Sequence, residues 1–190
     1  MNNSNESEEN LVNQFNPENQ EKQERKGTER FIERLSLLNE GDIGLLRSHS
    51  GSNLDKSLEG FDMFTGIWWY LRQNGWAPKR RVSWLITKLY AQFPFPQESE
   101  FTLAKHLSYC APKDFDDHLR FQSRFDQILL SQFTQLEPHL LWALSTIRQN
   151  SSGEIKFDWV QLTNDLWKWD NDDTKIKWAE EFLNYRTNLF

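Results

Sequence analysis

Three adjacent cations, Lys79-Arg80-Arg81, are the densest group of side chains in the sequence that could bind an anion. They follow Pro78 and precede apolar residues at helical spacing, which places them at the start of a helix. Cations there oppose the helix dipole, at a cost that stability alone does not explain. Arginine side chains and the free N–H groups of a first helical turn both suit phosphate. The pattern therefore predicts a phosphate-binding site, joined by Lys88 two turns after Arg81 on the same face.

A second pair of cations, Arg120 and Arg124, is separated by one helical turn and could also contact phosphate. The alternative is local ion pairing with Asp116 and Asp117, and we favour that interpretation slightly. Aromatic rings near the basic residues could stack on nucleic-acid bases. In a chain with nine tryptophans, core packing is the preferred interpretation of each of these rings: Trp76, Trp84 and Tyr90.

Two acidic motifs resemble metal sites only in their spacing. Glu154-Ile155-Lys156 has the E-x-K pattern of metal-dependent nucleases, but no aspartate precedes it at the usual distance. Asp170 and Glu181 have the spacing of a calcium loop, but Lys175 stands where the sharp turn of such a loop needs glycine. The aspartates that follow Asp170 are expected to cap a helix instead.

The histidine, cysteine and glycine patterns do not favour catalysis either. The histidines form no H-x-x-x-H or H-x-H pair, and Cys110 is the only cysteine, so we expect no zinc site. No P-loop, G-x-S-x-G or G-x-G-x-x-G motif occurs. His118 is expected to pair with Asp114 on a helix surface. The sequence predicts a protein that is not an enzyme and needs no cofactor or metal.

Apolar residues recur at helical spacing through most of the chain, and alternating strand patterns are scarce. Residues 1–27 are too polar to bury a core and are predicted to be a disordered tail. Order is expected from Thr28, a candidate helix cap, and Ala111-Pro112 is the predicted junction between two halves. The predicted fold is all-α, with two small helical bundles, at residues 28–111 and 112–190, preceded by the disordered N-terminal tail.

The C-terminal block is rich in tryptophan and aspartate. Asp158 and Gln161 have capping-box spacing, and Trp159 and Trp169 belong to one apolar helical stripe. We therefore predict that this block packs the core and is not an active site.

The charge is unevenly distributed. The formal net charge is −6, which argues against a protein that binds DNA strongly on its own. Residues 72–113 hold seven bases and two acids, a local +5 that would suit a subunit whose partners position it on nucleic acid. Charge alone does not separate this from a solvated helical face. The N-terminus lacks the features of a signal peptide and no apolar stretch could span a membrane, so a cytoplasmic protein with no membrane partner is expected.

Several blocks of residues occur together in the order found in one protein family. A first amphipathic helix leads into a GD-x-x-x-LR block: Phe31-Ile32-Glu33-Arg34-Leu35, then Gly41-Asp42-Ile43-Gly44-Leu45-Leu46-Arg47. Two later blocks resemble an L-F-A…P helix end and an R-F-x-x-L-L helix: Leu89-Tyr90-Ala91 with Pro94, and Arg124-Phe125-Asp126-Gln127-Ile128-Leu129. The tryptophan-rich ending runs from Phe157-Asp158-Trp159 to Trp178-Ala179-Glu180-Glu181-Phe182. From about residue 31 to 185, the chain resembles the small subunit of the type I-E CRISPR Cascade complex, the CasB family.

The resemblance implies an α-helical, non-catalytic subunit that stabilises the R-loop of guide RNA and target DNA through sequence-independent backbone contacts. It implies partners: the guide-RNA backbone subunits and large subunit of Cascade, a second copy of this chain, the crRNA, and the target and non-target DNA strands. Arg47 is carried over from the GD-x-x-x-LR block and Arg124 from the R-F-x-x-L-L helix; either could instead form a structural ion pair. A helical adaptor that binds only protein and a metal-dependent nuclease using Glu154 remain as alternatives.

Overall fold

The computed structural model describes residues 17–48, 66–69, 71–73 and 77–187 of the chain. Within these ranges no strand occurs; residues 66–69 and 71–73 are helical, and Gln97 and Phe157 form one isolated bridge. The all-α prediction is confirmed. None of the described helices is long and apolar enough to cross a membrane. The elements are α1 (Pro17–Ser36), α2 (Glu40–Ser48), α3 (Arg80–Gln92), α4 (Leu103–Cys110), α5 (Phe115–Leu130), a 3-10 turn (Phe133–Gln135), α6 (Leu136–Asn150), α7 (Trp159–Trp167) and α8 (Asp172–Thr187).

Helix α1 begins earlier than the sequence pattern indicates. It starts at Pro17, so residues 17–27 are helical where we predicted part of a disordered tail. Proline suits the first position of a helix, and the Glu, Gln, Lys and Arg residues that follow favour helix without forming an apolar stripe. Thr28 is not a cap: it lies inside α1, fully buried, and its hydroxyl donates to Asn164 Oδ1 on α7 at 2.8 Å. The part of the predicted tail before Pro17 lies outside the described residues.

Three pairs of neighbouring residues show how α1 is oriented relative to α7. Thr28 contacts Asn164 near the middle of α7, whereas Ile32 lies beside Val160 at its start. Arg25, earlier in α1, lines a groove with Trp167 at the end of α7. The two helices therefore run in opposite directions, and the N-terminal end of α1 lies at the C-terminal end of α7.

One hydrophobic core runs through both halves of the chain. Its buried side chains extend from Phe31 on α1 to Phe182 on α8, and α4 packs against α8 across the predicted junction at residues 111–112. That junction falls in the short connection between α4 and α5. The core is continuous across this connection. The division into two bundles at this point stays a prediction.

Three tryptophans of the C-terminal block, Trp159, Trp169 and Trp178, are buried and hydrogen-bonded. The indole N–H of Trp159 donates to Phe95 O at 3.0 Å, and that of Trp169 donates to Ser131 O at 2.9 Å. Trp178 stacks edge-on against Trp169. All three side chains are at most 2% exposed. The prediction that this block packs the core is confirmed.

The predicted caps are partly correct. Asp158 accepts from the backbone N–H of Gln161 at 2.9 Å, but the Gln161 side chain turns to Asp165 and leaves the capping box half formed. The expected surface pair of His118 and Asp114 is wrong. Asp114 caps α5 by accepting from the N–H of Asp116, and the His118 ring is buried against Pro112 O, 3.3 Å from its Nδ1.

Candidate nucleic-acid interface

The three adjacent cations lie at the start of α3, as predicted. Lys79 is the N-cap residue, and Arg80 and Arg81 are the first two residues of the helix. All three side chains are exposed. The apolar residues that follow are buried and anchor α3 in the core, so the helix holds its charged end at the surface. We call Lys79, Arg80 and Arg81 the basic cluster.

The C-terminal block positions two members of the basic cluster. The ammonium of Lys79 donates to Trp167 O at 3.2 Å and lies 5.7 Å from the centre of the Trp167 ring. The guanidinium of Arg81 pairs with Asp170 at 3.1 Å and stacks 4.6 Å from the centre of the Phe133 ring. These contacts join α3 to the end of α7.

The contacts give the basic cluster a structural explanation that the sequence did not suggest. Trp167 is the last residue of α7, where the helix dipole favours a cation. The cost of placing Lys79 at the start of α3 is therefore offset at the end of α7. Stability accounts for part of this arrangement, contrary to our expectation, and the exposed parts of these side chains remain accessible to an anion.

Lys88 does not belong to the exposed surface. Its side chain is 4% exposed, and its ammonium pairs with Glu137 in the first turn of α6 and lies 5.7 Å from the centre of the Trp84 ring. A phosphate cannot reach a charge buried in this way. The prediction that Lys88 extends the phosphate site is therefore wrong for this structure, because α6 covers the face of α3 that carries it.

Arg47 lies apart from the basic cluster. It occupies the last turn of α2 and is exposed, and its Nε donates to Ala91 O, in the last turn of α3, at 3.0 Å. Lys79 and Ala91 are separated by most of α3, about 18 Å at the helical rise. Arg47 therefore stabilises the opposite end of α3 from the end that carries the basic cluster.

Arg120 and Arg124 form a second exposed group on α5. Arg120 pairs with Asp117 at 3.2 Å, which confirms the local ion pair. The guanidinium of Arg124 lies 5.4 Å from the centre of the Trp142 ring on α6. Together with Trp142 they line a shallow groove of about 360 Å³. Both arginines could meet an anion there, with a partly exposed indole beside them.

The aromatic rings divide into buried and accessible groups. Trp84 and Tyr90 are buried, which confirms core packing for both, while Trp76 lies outside the described residues. Trp142 and Trp167 are half-buried beneath Arg124 and Lys79, and the sequence patterns did not single them out. No spacing rule could have found them, because each ring lies on a different helix from its cation.

The titratable groups with shifted pKa values are structural. Burial raises the pKa of the Asp165 carboxyl, against the opposing effects of the Lys177 ammonium and of hydrogen bonds from Trp178 and Gln161. Burial also lowers the pKa of His106, whose ring stacks on Phe157. Asp165 is buried and His106 is half-buried, and neither contacts the basic cluster in the contacts described above. Neither is paired with a nucleophile among the described residues.

The candidate metal motifs are occupied by other contacts. Lys156 of the E-x-K motif pairs with Glu98 at 3.3 Å. Asp172 and Asp173 lie in the first turn of α8, and Asn171 accepts from the N–H of Asp173 at 3.0 Å, as in a helix cap. In the part of the chain that the structure describes, no three His, Cys, Asp or Glu side chains are placed to hold one metal ion.

Comparison with known proteins identifies the family and the fold. The family model of the CRISPR-associated protein Cse2 matches residues 43–183. No curated protein sequence matches the chain. The fold is similar to two crystal structures from Thermus thermophilus, one of a CRISPR-associated protein of the Cse2 family (18% identity, TM-score 0.61) and one of CasB (18%, 0.62), each match covering 84% of this chain and 96% of the other. CasB from M. ruber matches with 19% identity and a TM-score of 0.66, over 86% of this chain and 94% of the other.

The family match includes the basic cluster, the arginines of α5 and the buried tryptophans of the C-terminal block. It confirms the resemblance that the sequence blocks indicated. The three structures share less than 25% identity with the chain and support the fold alone. This chain belongs to the CRISPR-associated Cse2 family.

Proposed function

We propose that this chain is the non-catalytic small subunit of a type I-E Cascade complex, where it stabilises the R-loop by binding nucleic-acid backbone without reading sequence. The observation that carries the proposal is the exposed basic cluster at the start of α3, held by Trp167 and Asp170. In this function, sequence is read by guide pairing and the protein only neutralises phosphate.

The geometry of the basic cluster favours a backbone over a base. Lys79 and Arg81 are each held at one side by protein contacts, which reduces the entropy lost when they meet a phosphate. Trp167 and Phe133 both lie beneath the cations and do not project beyond them. A phosphate backbone crossing the start of α3 would meet the cations before either of these two rings.

The α5 groove offers a second contact of a different kind. Arg120 and Arg124 flank a half-buried Trp142 ring, so a phosphate and a neighbouring base or sugar could be bound together. We propose this groove as the second nucleic-acid contact, and Arg47 as a residue that stabilises α3. The proposed partners are the crRNA, both DNA strands, the guide-RNA backbone subunits and large subunit of the complex, and a second copy of the chain. The proposed location is the cytoplasm.

The proposal is tested by reversing charge at Lys79 and Arg80 while keeping the Arg81–Asp170 pair. In the assembled complex, K79E/R80E should weaken target DNA binding by about tenfold or more at low salt. If both side chains contact phosphates of a duplex, the slope of log affinity against log salt should fall in magnitude by about 1.8. Filter binding over a salt series measures both quantities.

The matched control is R34E/K156E, which makes the same change in net charge. Arg34 lies in the last turn of α1 and Lys156 just before α7, so both are at the opposite end of the α1–α7 pair from the basic cluster. Both side chains are exposed. If K79E/R80E and R34E/K156E give the same DNA affinity and salt slope as the parent complex, the basic cluster is not a nucleic-acid contact.

A protein-only adaptor is the second candidate, and one surface favours it. Phe115 and Leu119, one turn apart on α5, are 73% and 48% exposed. Large apolar side chains grouped on a surface are typical of protein contacts. The two candidates separate on purification from the native host: the adaptor should bring protein partners without RNA, and the Cascade subunit should bring a short RNA of uniform length.

A further inference from the structure

We propose that residues 1–16 of this chain bind to its own basic cluster and compete there with nucleic acid. The docking is independent of the proposed function, whereas the competition rests on it. The proposal joins three observations: where α1 begins, which charges lie at that end of the fold, and which charges the segment carries.

The start of α1, to which residues 1–16 are attached, lies at the same end of the fold as the basic cluster. Arg25 lines a groove with Trp167 and Lys168 at the end of α7. Lys79 contacts Trp167 at that same end. Pro17 begins α1 eight residues before Arg25, about 12 Å further along the helix axis. The N-terminal end of α1 therefore lies at the end of the fold that carries the basic cluster.

The charges of the two parts are complementary. Residues 1–16 include Glu6, Glu8 and Glu9 and contain no lysine or arginine. The opposing surface carries the basic cluster and, in the adjoining groove, Lys168, with all four side chains exposed. Asp170 already pairs with Arg81, so we expect the glutamates to bind mainly at Lys79, whose exposed ammonium lies beside Trp167.

The expected effect is moderate and depends on salt. Each exposed ion pair is weak, but attachment to α1 raises the local concentration of the segment to about the millimolar range. Together these factors give partial occupancy at low salt. Nucleic acid, with one charge at every phosphate, should displace the segment, and the segment should lower the apparent affinity about three- to tenfold at low salt. Near 1 M salt, where the screening length falls to about 3 Å, the effect should disappear.

Zero-length carbodiimide cross-linking of the full chain, without nucleic acid, tests the docking. This reagent joins a carboxylate to an amine only when the two are in contact. We expect a peptide containing Glu6, Glu8 or Glu9 to be linked to Lys79, and the link to be lost in Lys79→Arg, which keeps the charge but removes the amine. No link to Lys79, or equal links to lysines distant from the basic cluster such as Lys113 and Lys156, would overturn the docking.

The competition is tested with a labelled single-stranded DNA and the same full chain. The E6Q/E8Q/E9Q variant should bind it about three- to tenfold more tightly than the E33Q/E154Q/E180Q control, which makes the same change in net charge at positions elsewhere on the described surface. Equal affinities for the two variants would refute the competition. If the cross-link forms and no variant binds DNA or assembles with RNA, the docking is correct and the proposed function fails.

Discussion

The buried ion pair between Lys88 and Glu137 allows a quantitative test of the structure. It joins α3 to the first turn of α6, with the lysine 4% and the glutamate 20% exposed. Replacing Glu137 by alanine removes the carboxylate that the structure places beside the buried ammonium. We therefore expect Glu137→Ala to be strongly destabilising, although Glu137 is polar and close to the surface.

The magnitude follows from the burial of the two groups. Breaking a buried pair by removing one partner costs about 3–5 kcal/mol, and the partial exposure of Glu137 places this pair at the lower end, about 3 kcal/mol. The lost interaction of the carboxylate with the α6 dipole adds about 0.5 kcal/mol. For a chain of this size, the sum corresponds to a fall in Tm of about 7–14 °C. Lys88→Met should cost about 1 kcal/mol or less, because it keeps the buried stem and lets Glu137 remain hydrated.

A double-mutant cycle in urea, with Lys88→Met and Glu137→Ala alone and combined, isolates the coupling. We expect about 3 kcal/mol, changing little between about 0.1 M and 1 M salt, since buried charges are poorly screened. A coupling below about 0.5 kcal/mol, typical of exposed pairs, would refute the burial of Lys88 and return it to the candidate phosphate contacts. A separate check is that Lys88→Met leaves the affinity of the complex for target DNA unchanged.

Two further predictions concern Asp165, which is buried, and His106, which is half-buried. Asp165→Ala should lower the free energy of unfolding by about 2–4 kcal/mol, because it removes the acceptor of the buried Trp178 indole at 2.7 Å and of the Gln161 amide at 2.7 Å. Urea titration measures this loss. The comparison variant Trp178→Phe removes the donor instead and should cost less. Burial lowers the pKa of His106 below 6.5, so the unfolded chain binds the proton more readily than the folded chain. The stability that His106 contributes is therefore present above pH 6.5 and is lost as the pH falls through the pKa of the folded state. NMR titration should find that pKa below 6.5, and the stability difference between the parent chain and His106→Asn should shrink as pH falls; a measured pKa of 6.5 or higher would contradict the burial.

The helical core could be predicted because its apolar residues are periodic along the chain. Phe31, Ile32 and Leu35 repeat at helical spacing, and all three are buried in α1. The start of α1 could not be found in the same way. Residues 17–27 carry helix-favouring residues but no apolar stripe, and the contact that orders Thr28 is with Asn164 on α7. Contacts between distant residues leave no periodic signal in a single sequence.

The burial of Lys88 was missed for the same reason, because it depends on contacts between residues that are distant in the sequence. Arg81 and Lys88 do share one face of α3, as their spacing predicts, since Arg81 stacks on Phe133 and Lys88 pairs with Glu137 four residues later. The spacing specifies the face but not what covers it. The start of α6 covers that face at Lys88 and leaves Arg81 at its edge, so one cation is buried and the other is half exposed.

The contacts of the basic cluster change the role of the C-terminal block. Tryptophans such as Trp169 pack the core, but Trp167 and Asp170 also hold Lys79 and Arg81 at the start of α3. A chain cut at the predicted junction would keep every cation of the basic cluster and lose both of these partners. Its cations would then oppose the dipole of α3 without compensation from the end of α7. The basic surface is therefore a product of both halves of the fold, and the proposed backbone contact requires the intact chain.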